Sequence, residues 1–154
     1  MDIKQTLSEQ LNDLRLRIIE NHIRAGQKAS GRTIQSMQVV VEDMGDSVVG
    51  TLYGRQYFQN LETGNKPWKN PTTKVPRFFH DIIDQWISDK GLSLNAWAVA
   101  YKIIHEGTKL YRDGGRDDIY SNEIPKTLES IGDAVSALYS MQITEMINLN
   151  NKEI

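Results

Sequence analysis

Two helical stripes bracket this chain. Ile3, Leu7, Leu11, Leu14 and Ile18 step by 4, 4, 3 and 4 residues, and Ile124, Leu128, Ile131, Val135 and Leu138 step by 4, 3, 4 and 3. That period lines one face of an α-helix. It predicts a long helix from about Asp2 to Arg24 and another from Ser121 onward. Pro125 falls in the first turn of the second, where its missing N–H has no helical partner to lose. Leu16, Ile19 and Ile23 widen the apolar side of the first helix toward its C-terminal end. Such a helix either covers the core of its own domain or shares a seam with another subunit, and the pattern allows both. The tail, residues 148–154, is expected to fray.

The stretch between the stripes is mixed. "AGQKASGRTIQS" (Ala25 to Ser36) breaks the helical period with two glycines. "MQVVVED" and "SVVGTLY" are rich in β-branched residues and flank a short glycine-containing turn, which predicts a β-hairpin. Tyr57 to Thr63 reads as a short helix closed by Gly64 just past its end. Phe79, Ile82, Ile83, Trp86 and Ile87 mark a central helix that ends at Gly91. Ser93 is expected to cap the next, with the stripe Leu94, Trp97, Ala98, Tyr101 and Ile104 and an end at Gly107. Phe79, Ile83, Trp86, Trp97 and Tyr101 are the expected core of this pair, and "TKLYRDGGRDD" is expected to be a polar loop. The fold class is therefore α+β: a small antiparallel hairpin packed with a long N-terminal helix, two central helices and a long C-terminal helix.

A chain of 154 residues suits one domain, residues 1–154. It can bury a core without covalent staples, and the absence of cysteine excludes a disulfide framework and thiolate metal ligands. No apolar run approaches the roughly 20 residues of a membrane helix, so no membrane partner is expected. The formal charge of −2 argues against a general nucleic-acid binder.

Motifs for chemistry are near misses. "GQKASGRT" (Gly26 to Thr33) approaches the phosphate-loop pattern but carries Arg32 in place of lysine, and a helix rather than a strand precedes it. His22, His80 and His105 are scattered, and "IIHEGTK" lacks the second histidine of a zinc helix. Asp113, Asp117 and Asp118 miss the calcium-loop spacing. No catalytic residue, cofactor or metal is expected, and an enzyme is not the preferred class.

The sharpest local anomaly is the loop of residues 64–76. Lys66, Lys69, Lys74 and the following Arg77 lie between Glu62 and Asp81 with no acid among them, alongside three prolines and Trp68. Trp68 could fold back onto its own domain. It could equally anchor an extended docking arm, since tryptophan is enriched at the buried centres of interfaces and prolines lower the entropy cost of ordering. Lys66, Trp68, Lys69, Lys74 and Arg77 are the candidate interface residues. The loop is expected to be mobile until a partner orders it.

The order of these segments resembles the small tail-completion and neck proteins of tailed bacteriophages, the head–tail connector family. Ser30 and Gly31 stand at the family's Thr-Gly, and Ser36 and Met37 at its Ser-Ile. In "YFQNLETGNKP", Tyr57, Glu62, Gly64 and Pro67 match its Tyr, Glu, Gly and Pro. Downstream, "WISDKG" and "KIIHEGT" are similar to its W-I-x-x-K-G and K-I-x-x-x-G-T segments. Thr33 falls where the family has leucine, and Phe58 replaces a small residue. The resemblance, over roughly residues 5–145, implies a non-enzymatic virion protein assembled in the host cytoplasm. It implies a homo-oligomeric ring, six- or twelve-fold, between the portal or adaptor and the tail, with non-specific contacts to passing DNA. The alternative from composition alone is a small intracellular interaction or regulatory module, antitoxin-like in kind.

Overall fold

The computed structural model describes residues 2–150, and the fold is α+β. Helix α1 (Ile3–Arg24) leads through a short helix α2 (Arg32–Gln35) to strands β1 (Gln38–Asp43) and β2 (Val48–Tyr53). A short α3 (Asn60–Thr63) precedes the central pair α4 (Arg77–Asp89) and α5 (Ala96–Glu106). A short α6 (Lys109–Arg112) then leads to α7 (Glu123–Asn150).

The sequence accounts for most of the element ends. Asp2 caps α1 by accepting from the Gln5 N–H at 2.7 Å, satisfying a donor that the helix itself leaves free. The strands pair antiparallel from Gln38 opposite Tyr53 to Asp43 opposite Val48. Asp43 Oδ1 accepts from the Gly45 N–H in the turn. Asn95, not Ser93, caps α5, accepting from Ala98 N–H at 3.0 Å. Leu94 therefore lies outside the helix and is exposed. The two segments read as loops each hold one helical turn, α2 and α6, too short to show a period. α7 is helical through Asn150, and the rest of the tail expected to fray, residues 151–154, lies outside the described part.

The buried residues form two clusters. The first joins Leu14 and Ile18 of α1 to Met37 and Ile119, with Leu52, Phe58 and Leu61 around them. The second joins Ile83 and Ile87 of α4 to Ala96 and Ala100 of α5, flanked by Phe79 and Ile103. Here the expected core is corrected. Ile83 is buried and Phe79 half-buried, but Trp86, Trp97 and Tyr101 are 37, 45 and 49% exposed. The small Ala96 and Ala100 let the two helices approach closely. The large aromatics one position along are turned to the flanks, because a side chain of that size cannot enter so narrow a seam.

Helices α1 and α7 pack together through polar as well as apolar contacts. Arg17 donates to Thr127 Oγ1 at 2.7 Å, and its Nε lies 3.0 Å from Glu123 Oε2 without a well-aligned hydrogen bond at Nε. The hydrogen bond from Lys126, aided by Arg17, holds Glu123 below its usual carboxylate range despite partial desolvation. His22 is buried at the end of α1 with Gln27 Oε1 at 3.2 Å from its ring. Burial pushes it below its ordinary value of 6.5, partly offset by Gln27 and reinforced by the nearby Lys90 charge.

A base whose folded-state pKa is lowered binds its proton more readily when unfolded. The stability tied to a neutral His22 is thus fully present above about pH 6.5 and declines as pH falls toward the folded value. Urea titrations of wild type and His22→Gln should diverge accordingly: wild type loses more stability between pH 7 and pH 5. Parallel pH profiles would show that His22 does not contribute.

Candidate functional site

The loop that follows Gly64 begins at a joint centred on Glu62. This side chain is 4% exposed. Its Oε1 accepts three consecutive backbone N–H groups, from Ile119, Tyr120 and Ser121, at 3.0, 2.7 and 2.9 Å, and its Oε2 accepts from the Ser121 hydroxyl. These donors lie in the turn just before α7. The backbone adds Arg116 N–H to Glu62 O at 2.8 Å. A carboxylate saturated in this way satisfies donors that would otherwise be buried without partners. Phe58 and Tyr120 close the apolar side with ring centroids 5.3 Å apart, and burial raises the Tyr120 hydroxyl above its ordinary value.

The next step of the chain is fixed by two glycines. Gly64 has φ +68°, and a Cβ there would sit 2.5 Å from the Tyr111 N atom and 2.6 Å from Thr108 Oγ1. Gly107 has φ +82°, and its Cβ would meet the Asn65 carbonyl at 2.8 Å. Only glycine combines that dihedral with that approach. Between them, Asn65 N–H donates to Thr108 Oγ1 and Thr108 N–H donates to Asn65 O, both at 2.9 Å.

The loop is held by its own chain beyond that point. Trp68 N–H donates to Ile104 O at 2.8 Å, and the His105 ring lies 3.2 Å from Thr72 O. The Trp68 ring is half-buried, 5.2 Å from Phe79 and stacked 6.4 Å from Phe78. The expectation that the domain supplies little to order this segment is thereby corrected. The ties are one backbone bond and one histidine contact to the end of α5, which leave no periodic trace in the sequence.

The candidate side chains divide. Lys66, Lys69 and Lys74 are exposed and make no ion pair among the described residues. Arg77 is exposed and pairs with Asp81 at 3.0 Å. Asp81 is held below its usual range, first by the His80 hydrogen bond and then by Arg77. Beside Trp68, Phe78 is 63% exposed. His80 stacks on Trp97 at 3.9 Å, and Tyr101 leans on His105 at 4.2 Å. The central helix pair thus carries exposed aromatic side chains, among them Trp97 and Tyr101, which the sequence predicts in the core.

An open groove of about 870 Å³ runs beside the joint, bounded by Asn60, Asn65, Lys66, Tyr111, Arg112 and Arg116. It does not form a cationic cradle. Arg112 donates to Gly107 O and Arg116 makes two bonds to Asp118, at 2.6 and 2.9 Å, which leaves Lys66 as its unpaired cation among the described residues. Among the described residues no group of three or more His, Asp or Glu could hold a metal ion, and no helix is long and apolar enough to cross a membrane. The phosphate-loop near miss begins at Gly26, just past the end of α1, and ends in the four-residue α2, without the strand such a loop needs. Comparison with family models, curated proteins and solved structures finds no match.

Two substitutions check this geometry by chemical denaturation. Glu62→Ala should destabilise the chain by about 3–5 kcal/mol, since it strands several buried donors at ~1–3 kcal/mol each. A loss below about 1 kcal/mol would mean that the 119–121 turn finds other acceptors. Trp68→Ala should cost about 1–2 kcal/mol, less than a fully buried aromatic, and an unfolding midpoint unchanged from wild type would show that the ring contributes nothing to its own domain.

Proposed function

We propose that this chain is a virion structural protein of a tailed bacteriophage, in the tail-completion or neck class. In this reading it forms a homo-oligomeric ring of six or twelve copies that joins the portal or adaptor to the tail. One observation carries the reading furthest. The segments that resemble that family, "YFQNLETGNKP" and "KIIHEGT", lie about 40 residues apart in sequence, yet they meet through Asn65 and Thr108, with Gly64 and Gly107 in close approach. The two segments that carry the resemblance thus form one physical joint in this chain.

The surface supports an assembling role. Phe78, Ile82, Trp97 and Tyr101 are exposed on the central helices, and large apolar side chains left outside the core of a small chain are available for contacts. A ring requires two different patches that meet around a rotation axis. The α4–α5 flank and the distal part of α7 are separate faces of that kind. Lys66, Lys69 and Lys74 are exposed on the loop tied to the end of α5, available to acidic residues of a neighbour or phosphates of passing DNA. Rim charges of this sort steer encounter more than they add affinity. The reading assigns the chain no catalysis and no cofactor, and places it in the neck of the virion after assembly in the host cytoplasm.

Mass photometry of the purified chain tests the ring. One dominant species at six or twelve times 17.6 kDa is expected. A monomer or dimer that persists at micromolar concentration would overturn the ring and favour a small interaction module instead.

A further inference from the structure

We infer that the last turns of α7 are a self-assembly element: a tip that packs between the tips of two neighbouring copies in a parallel bundle. The inference rests on the self-assembly proposed above and adds the contact that would close it.

The tip is unpartnered within its own chain. α1 and α7 run antiparallel, with Arg17 against Glu123 and Thr127. Continued one residue for one residue from the Arg17–Thr127 bond, the pairing brings the first residue of α1, Ile3, opposite Met141. About ten residues of α7 then overhang, a length of roughly 15 Å. From Tyr139 through Leu149 every residue is exposed. Helix segments this short are marginal in water without tertiary contacts.

The tip is also apolar around most of its circumference. Tyr139, Met141, Ile143, Met146, Ile147 and Leu149 are each 52–69% exposed. At about 100° per residue they spread over roughly 240° of the helix, with Gln142 and Glu145 inside the arc. Ser140, Thr144 and Asn148 fill the remaining arc. A two-stranded coiled coil covers only a narrow seam. An arc this wide needs a neighbour on each flank and leaves one polar strip for solvent.

Size and charge favour a second copy as the occupant. Six half-exposed side chains offer on the order of 100 Å² each, or roughly 600 Å² per copy, approaching the ~800 Å² per partner of a standard interface. Glu145 is the one charged residue between Ala134 and Asn150. Parallel copies therefore bring together one carboxylate each and no other charge, and there is no basic residue there to seek an acidic partner or nucleic acid.

The test uses the full chain, which has no cysteine of its own. Met141→Cys with Ile143→Cys places one thiol on each flank. On oxidation the double variant should give a ladder of covalent species above the dimer, while either single variant should not. Bands that stop at the dimer would overturn the bundle in favour of a two-stranded contact. In parallel, Ile143→Asp with Met146→Asp should reduce the oligomer to monomer at the same concentration, with a cooperative thermal transition retained and helicity lowered by no more than the tip's own residues. If that variant keeps the wild-type mass, the tip inference fails while the ring reading stands. If the wild-type chain is itself monomeric, both fail.

Discussion

A single buried carboxylate fixes how this chain is put together. Glu62 stands at the end of the hairpin half and takes three successive N–H donors from residues 119–121, where α7 is about to begin. That contact sets the entry of α7 against α1, and the Arg17–Glu123 and Arg17–Thr127 contacts then continue the alignment. One step along the chain, Gly64 and Asn65 lock to Thr108 and Tyr111 and so fix the approach of the central helices. Both halves are therefore referenced to the same few residues. The carboxylate suits this role because one acceptor group can saturate several donors that neither helix nor sheet would use.

The joint matters more because neither cluster is large. The first depends on α1 lying across a two-stranded sheet, which alone would be marginal. The second is a helix pair whose seam is built on alanines and isoleucines. Much of the large apolar surface stays outside both. Such a chain holds a defined shape through directional polar bonds at the joint and keeps its aromatic area for contacts beyond itself.

The legible and illegible parts of the sequence separate along physical lines. Long periods could be read, so α1, α7, the hairpin and the α4–α5 pair were foreseen, as was the stop at Gly64. Single-turn elements carry no period, so α2 and α6 were not. On α4 the expected stripe does face the core at Phe79, Ile83 and Ile87, with Ile82 and Trp86 outside it; on α5 the buried face differs from the expected one, because size points to Trp97 and Tyr101. The seam instead selected Ala96 and Ala100, a choice set by how close two helices come rather than by hydrophobicity. Glu62 was noticed as part of a motif, but its partners lie 57 to 59 residues away in the chain. No local pattern encodes a bond of that span. The ties on the 64–76 loop escaped for the same reason: main-chain atoms at Ile104 and Thr108, together with the Thr108 hydroxyl, hold Asn65 and Trp68.

The placement of the aromatic residues has a spectroscopic consequence. All three tryptophans, Trp68, Trp86 and Trp97, sit in or against the α4–α5 half, and none lies in the cluster of α1, the hairpin and Ile119. Indole emission therefore watches one half of the molecule, while far-ultraviolet ellipticity is dominated by α1 and α7. The chain carries a built-in pair of reporters, one for each cluster. Whether the two clusters come apart together or in sequence can be read from the native protein without any label.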